Sequence, residues 1–252
     1  MSEFMSLAVQ LLPGLWLSIQ MAFISLLVGI PLGFFAGLAL NGRSKVVRGI
    51  VVALVEIFRG FPALLTLYLV YFGMTNVVTL DRFTSIVIAF GLTTAAYTAE
   101  IFRAAIANVP RGQLEAAEAL AFSKSDITLR IVLPHVLNIV VPPVIGIAII
   151  TFQGTALAYA IGGKELLGMA YSIGMTNFKV LQPLLVAALL YLLFTSLLAW
   201  MEVLADRRAA RITGRAPQAK KRQRNLRKGD DSKDAAPSTR VINTALRSEH
   251  TK

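Results

Sequence analysis

An all-α integral membrane protein is the fold class that this sequence predicts, and three observations predict it. Hydrophobic residues make up 56% of the 252, against 15% charged, a balance far from that of a soluble domain. The charges leave long gaps: none falls between Glu3 and Arg43, Arg59 and Asp81, Arg82 and Glu100, Arg130 and Lys164, or Lys179 and Glu202. Several gaps hold an apolar run of about 20 residues, enough to cross a hydrocarbon core as a helix.

Five crossing helices are expected. They cover roughly 14–40, 50–73, 83–107, 131–152 and 181–203, with ends uncertain by about two to four residues. Basic residues orient them. Arg43, Lys45 and Arg48 follow the first span, and Arg111, Lys124 and Arg130 follow the third. The other connections hold little: Arg82, or Lys164 and Lys179. The N-terminus is therefore expected outside, and the 108–130 connection and the C-terminus in the cytoplasm. The first span reads as retained, because a cleavable signal opens with positive charge and the first basic residue here is Arg43.

Between spans four and five lies an apolar stretch from Thr155 to Ile173, flanked and interrupted by Gly154, Gly162, Gly163, Gly168 and Gly174. It is too short and too broken to cross. A re-entrant or outer-surface helix pair is expected, since irregular backbone at depth must be shielded by protein or water.

Net charge separates two domains. Residues 207–252 hold 14 Lys/Arg and 4 Asp/Glu, so +10 of the total +11 sits there, while residues 1–206 are nearly neutral. The tail, with Pro217, Pro237 and few apolar residues, reads as disordered. Its Lys220-Lys221-Arg222-Gln223-Arg224 run suits anionic lipid head groups. A solvated tail that enforces orientation fits equally well. No aromatic interleaves the basic residues, so a specific nucleic-acid surface has little support.

Composition also excludes chemistry. Cysteine is absent, and His135 and His250 are too few and too distant for a metal centre. No phosphate loop is present: at the nearest approach, Gly163-Lys164, Ala158 takes the first glycine position and Glu165 follows the lysine. No nucleophile or acid–base cluster suggests an enzyme. The chain is expected to bind no cofactor, so any ATP-driven role needs a partner that hydrolyses it.

The 108–130 connection is the most informative stretch. Pro110 ends or bends the preceding span. Glu115-Ala116-Ala117-Glu118-Ala119-Leu120-Ala121 follows, a short helix with little side-chain bulk. Small residues admit a close partner, and Glu115 and Glu118 offer it anionic contacts. An ordinary surface helix is the competing reading.

Two identical tetrapeptides, Glu56-Ile57-Phe58-Arg59 and Glu100-Ile101-Phe102-Arg103, each place an acid and a base on one helix face. Arg59 lies roughly 16 Å beyond Arg48 and Glu100 roughly 12 Å before Asn108, so both pairs fall in the inner half of the membrane. Intramembrane charges usually face a bundle interior or a water path. Mutual neutralisation explains them as well as a substrate path does.

These motifs resemble those of the permease subunits of binding-protein-dependent ABC importers, in the polar amino-acid group. The loop reads Glu115-Ala116-Ala117, Ala121, Ile131 and Leu133-Pro134, where the family usually has glycine at the position of Ala121. Val55–Gly60 with Pro62 and Val70–Gly73 resembles the family's second span. Ala96–Arg103 with Val109-Pro110 and Gly112-Gln113 resembles its third span and loop. The match covers roughly 10–205.

The resemblance implies a type I importer permease fold, minimally five spans with a cytoplasmic coupling helix, in a bacterial inner membrane. Its partners would be an ABC ATPase dimer, a second permease chain (identical or a paralogue), a soluble substrate-binding protein and membrane lipid. Gly112, Glu115, Ala116, Ala117, Ala121, Ile131, Leu133 and Pro134 would form the ATPase-coupling loop. Glu100 would line an amino-acid pathway, with Glu56, Arg59, Arg103, Gln153 and Thr155 as further candidates. Family members that contact substrate commonly have Lys-Asp-Thr-Ser-Leu or Gln-Asp-Thr-Ser-Leu where this chain has Gln153-Gly154-Thr155-Ala156-Leu157. The missing acid has two readings: a sister permease supplies the charged contacts, or the substrate is not a standard α-amino acid. Gly154 could also serve the backbone turn alone. A self-contained channel or secondary transporter is the alternative, and it leaves the 115–121 helix unexplained.

Overall fold

A computed structural model describes residues 2–213, and all their regular elements are helical. The chain divides into a unit ending at Ala205 and a second beginning at Asp206. The tail expected to be disordered lies, beyond Thr213, outside the described residues. Helices α1 (Ser2–Leu40), α2 (Lys45–Gly60), α3 (Ala63–Tyr71) and α4 (Arg82–Ala107) come first. A short α5 (Arg111–Ala119), α6 (Lys124–Ile127) and a π-helical turn (Thr128–Val132) lead into α7 (Leu133–Gly154). A 3-10 segment (Thr155–Ile161), α8 (Leu166–Thr176) and α9 (Leu181–Thr213) complete it.

Among the described residues, four helices are long and apolar enough to cross a membrane, and α2 with α3 makes a fifth if counted as one broken span. That break corrects the expectation of one continuous span over 50–73. The two helices meet at 105°. Pro62 cannot donate a backbone hydrogen bond, and its ring disfavours helical backbone at the residue before it. Phe61 is accordingly extended, at φ −78° and ψ 136°. The first span also begins earlier than expected, at Ser2, and runs through Pro13 and Pro31.

The central seam joins α1 to α4. Gly29, Gly33 and Gly37 recur every fourth residue on α1 and face Thr94, Thr98 and Phe102, which recur every fourth residue on α4. The pairing runs in the same order on both, so the helices are parallel. A methyl group at Gly29 would lie 2.6 Å from Thr94 Cβ, and one at Gly37 2.7 Å from Phe102 Cβ. Such small-residue spacing lets helices approach closely where no water drives them together. Thr94 also shares a buried 3.2 Å hydrogen bond with Thr151 of α7. By contrast, much of α1 and α9 is open and apolar, with Trp16, Phe23, Leu27, Phe35, Leu193 and Trp200 all exposed.

The Thr155–Ile173 stretch forms the expected helix pair, packed onto α1 through Leu166 and Ala170 against Leu7 and Leu11. Gly162 supplies the left-handed turn between its halves, at φ 77°. Arg82 Nε donates to the Ile161 carbonyl at 3.0 Å, which ties the start of α4 to this turn.

Candidate coupling site and membrane charge clusters

Pro110 opens α5 rather than merely ending α4, and the small residues after it carry the helix to Ala119. Its inner face is Leu114 and the buried Ala117, and Leu114 packs against a cluster of Phe102, Ala105 and Val109 of the α4 end and Val136 and Val140 of α7. Its outer face presents Gly112, Glu115, Ala116, Glu118 and Leu120 to solvent. Leu120 is 71% exposed, a large apolar side chain left uncovered among the described residues.

Ala121 closes the helix with φ 56°. The Ala121 N–H donates to the Glu118 carbonyl at 2.9 Å and the Phe122 N–H to the Ala117 carbonyl at 3.1 Å. This pair of bonds is the Schellman termination, whose left-handed position is normally glycine. The resemblance expects glycine here, and the alanine adopts glycine's conformation rather than abolishing the turn.

Beside this terminus lies a cleft of about 410 Å³, lined by Gln113, Ala116, Ala117, Leu120, Phe122, Arg130 and Ile131. It gathers Ala116, Ala117 and Ile131 from the sequence motif. Leu133 and Pro134 continue from it at the start of α7, Pro134 exposed. The sequence placed Leu120 in the helix and Arg130 among the orienting charges but gave neither, nor Phe122, a part in a cleft. Two large apolar side chains on either side of Ala121 were the available signal. Arg130 pairs with Asp126 at 3.2 Å. His135 is half-buried, and its Nε2 has no hydrogen-bond partner.

The charged tetrapeptides sit on facing helices. Arg103 donates from Nε at 2.9 Å and Nη2 at 2.7 Å to one oxygen of Glu100. Arg59 and Glu56 are looser, at 3.6 Å. The Arg59 guanidinium lies over the ring of Tyr97, 5.7 Å from its centre, close enough for a cation–π attraction. Tyr97 is three residues before Glu100, so α2 and α4 bring both pairs onto one polar patch. Tyr97 lies inside the Ala96–Arg103 motif, which was read without a role for it; a tyrosine one turn from an intramembrane ion pair was the signal.

Gln153 and Thr155 part company. Gln153 is exposed. Thr155 is fully buried, its hydroxyl donating to the Phe152 carbonyl at 2.7 Å. Gly154 has ordinary helical backbone, φ −61° and ψ −26°, which corrects the reading that it serves a turn. The ring of Phe90 explains it: Phe90 Cζ would lie 3.0 Å from a methyl group there, with Cε1 closer still. Among the described residues, no cluster of His, Asp or Glu is placed to hold a metal ion.

Comparison with known proteins places this geometry. Residues 29–211 match the model of the binding-protein-dependent transport system inner membrane component. The L-cystine transport system permease protein TcyB of Bacillus subtilis (strain 168) is 32% identical over 205 residues, 80% of this chain and 87% of that one. The arginine transport system permease protein ArtQ of the same organism is 28% identical, over 79% and 91% of the two chains. The crystal structure of an amino acid ABC transporter with histidines superposes with a TM-score of 0.73 at 26% identity, covering 79% of this chain and 94% of that one. The MetNI methionine ABC transporter, in inward-facing conformations, shares the fold with a TM-score of 0.66. The chain belongs to the family of inner-membrane components of binding-protein-dependent transport systems, a multi-pass permease with the type I ABC importer fold.

Proposed function

We propose that this chain is one permease half of an ATP-driven amino-acid importer, coupled to a separate ATPase dimer through α5. The carrying observation is the form of α5. It is a small-residue helix whose Leu114 packs against the ends of α4 and α7 and whose outer face leaves Ala116, Glu115 and Leu120 uncovered beside a cleft. A helix held that way passes a push from a docked partner into two spans, as switching between two global states requires. A second permease chain and a soluble binding protein complete the assembly. The N-terminus faces outward and the α5 end faces the cytoplasm, where the basic residues lie.

The pathway reading rests on Glu100, Arg103, Arg59, Glu56 and Tyr97, with Gln153 on the exposed face of α7. Relatives named for cystine and arginine transport support an amino-acid substrate. A paired acid and base suits an α-amine and α-carboxylate, each meeting its opposite charge. ATP would be hydrolysed by the partner, not by this chain.

Co-purification tests the reading. The native complex, taken from membranes, should contain an ATPase and a second permease. Glu115→Lys with Leu120→Asp should leave membrane insertion intact and lose the ATPase. Undiminished capture by the double variant would refute the assignment of α5. Solute uptake by the chain alone in liposomes, with no ATPase present, would refute the importer itself.

A further inference from the structure

Away from the coupling site and the charged patch, four elements bring polar side chains together at one buried point. Glu165 begins α8, and its Oε1 accepts the Gly168 N–H at 3.0 Å. The residue is fully buried, and its second oxygen, Oε2, has no hydrogen-bond partner. Ser18 of α1, also fully buried, accepts the Leu166 N–H at 3.2 Å. From α9 comes Tyr191, its hydroxyl buried and likewise without a partner, close to Ser18, Thr155 and Glu165. The backbone is as tight as the side chains. A methyl group at Gly14 of α1 would lie 3.0 Å from Leu166 Cα and 3.1 Å from the Glu165 carbonyl carbon.

Neither oxygen bonds the other, so each needs a proton or a ligand to satisfy it. The charges nearby decide which. Tyr191 is the titratable group that α9 turns toward Glu165. The facing residues of α1, Ser18 and Gly14, are uncharged, as is Thr155 of the 3-10 segment. Lys164, its chain neighbour, is exposed, and Arg82 is engaged with the Ile161 carbonyl. No ion pair to Glu165 is present among the described residues. A buried carboxylate without a cation is costly, and the neutral acid is the favoured form.

We propose that Glu165, in a pocket enclosed with Ser18, Thr155 and Tyr191, is a proton-loaded latch: with Oε2 protonated the acid is neutral and stays buried, which keeps α8 and the 3-10 segment seated on α1 and α9. Burial pushes the Glu165 carboxyl up to about 7, so the latch is closed at acidic pH, half-lost near neutral and open above it. Opening moves α8 off α1, and the proton passes from Oε2 to water, leaving a solvated carboxylate. No redox partner is involved. That opening accompanies transport rests on the permease reading; the proton itself does not.

Infrared titration of the purified full chain in detergent tests the latch between about pH 5 and about pH 9. The wild type should show a protonated-carboxyl carbonyl band that disappears with a midpoint near 7. Glu165→Gln, which keeps the oxygen that accepts from Gly168, should lack the band. Tyr191→Phe, which makes the pocket more apolar, should keep the band and move its midpoint upward. An unchanged band in Glu165→Gln, no titrating band in the wild type, or a band displaced by Na⁺ at constant pH would overturn the proposal, the last by making the cluster an ion site. Failure to capture an ATPase would count against the permease reading alone and leave this titration untouched.

Discussion

Replacing Gly33 with alanine sets a methyl group inside the contact radius of Thr98 Oγ1. It would also stand 2.8 Å from the Ala95 carbonyl oxygen and 2.9 Å from Thr98 Cβ. A carbonyl and a β-carbon cannot swing aside as the end of a flexible chain can. Relief comes only if α1 and α4 separate, and that loosens the Gly29 and Gly37 contacts above and below. Overpacking of this kind costs about 1–3 kcal/mol, and the central place of Gly33 puts it at the upper end. Gly49 is the internal control. It sits in α2 with nothing within 4 Å of an added methyl group, so Gly49→Ala should be stabilising by about 0.5–1 kcal/mol through helix propensity. Thermal unfolding of the purified chain in one detergent, both variants side by side, reads the difference. Gly33→Ala/Thr98→Ala should recover part of the loss, because Oγ1 goes but Cβ and the carbonyl remain. A Gly33→Ala midpoint at or above wild type would show that the seam is not the close contact described here.

Ala121→Gly should stabilise the chain by about 1 kcal/mol, since a left-handed alanine carries roughly that penalty; a lower unfolding midpoint would refute the Schellman assignment. Gly154→Ala and Gly154→Asp should both disturb the fold, because Phe90 stands where either side chain would go; an alanine variant with wild-type stability would refute the packing role of Gly154. Asp81→Ala should cost about 1 kcal/mol by removing the cap on the Phe83 and Thr84 N–H groups. The Thr84 hydroxyl chiefly holds the Asp81 carboxyl below its ordinary 3.8. Its contribution is therefore complete above that value and fades as pH falls through the depressed one, and a wild-type chain whose stability did not decline in that acid window would refute the cap.

Spans and the polar connection were legible because charge placement and hydrophobic length are properties of the chain itself. Seams were not. The Gly29, Gly33 and Gly37 spacing is plain in the sequence, yet spacing alone does not name the helix it faces. The 105° bend at Phe61-Pro62 was hidden for a related reason: proline inside an apolar run either kinks or is absorbed, and Pro13, Pro31, Pro142 and Pro143 are all absorbed. Glu165 appeared in the sequence only as the residue that spoils a phosphate loop. Its burial depends on α1 and α9, more than a hundred residues before it and a short span after it. Gln153 and Thr155 looked like one constellation by adjacency. The helix turned them onto different faces.

Phe102 is where the coupling helix and the central seam meet. Its ring packs edge-on to Phe34 of α1 at 5.2 Å, and its β-carbon fills the space opposite Gly37. The same residue belongs to the cluster that receives Leu114 from α5. A push on α5 therefore reaches α1 through one buried side chain, whereas α2 lies off that line. Spatial intermediacy is not coupling, so the claim needs a measured one. Phe102→Leu keeps an apolar group and gives up mainly the edge-to-face contact, about 0.5–1.5 kcal/mol. In the reconstituted importer it should lower solute imported per ATP hydrolysed, while ATPase capture stays at the wild-type level. Phe34→Leu should do the same, and the double variant should add little to either alone, as residues in contact do. Full additivity of the two losses would mean that α5 reaches α1 by another route.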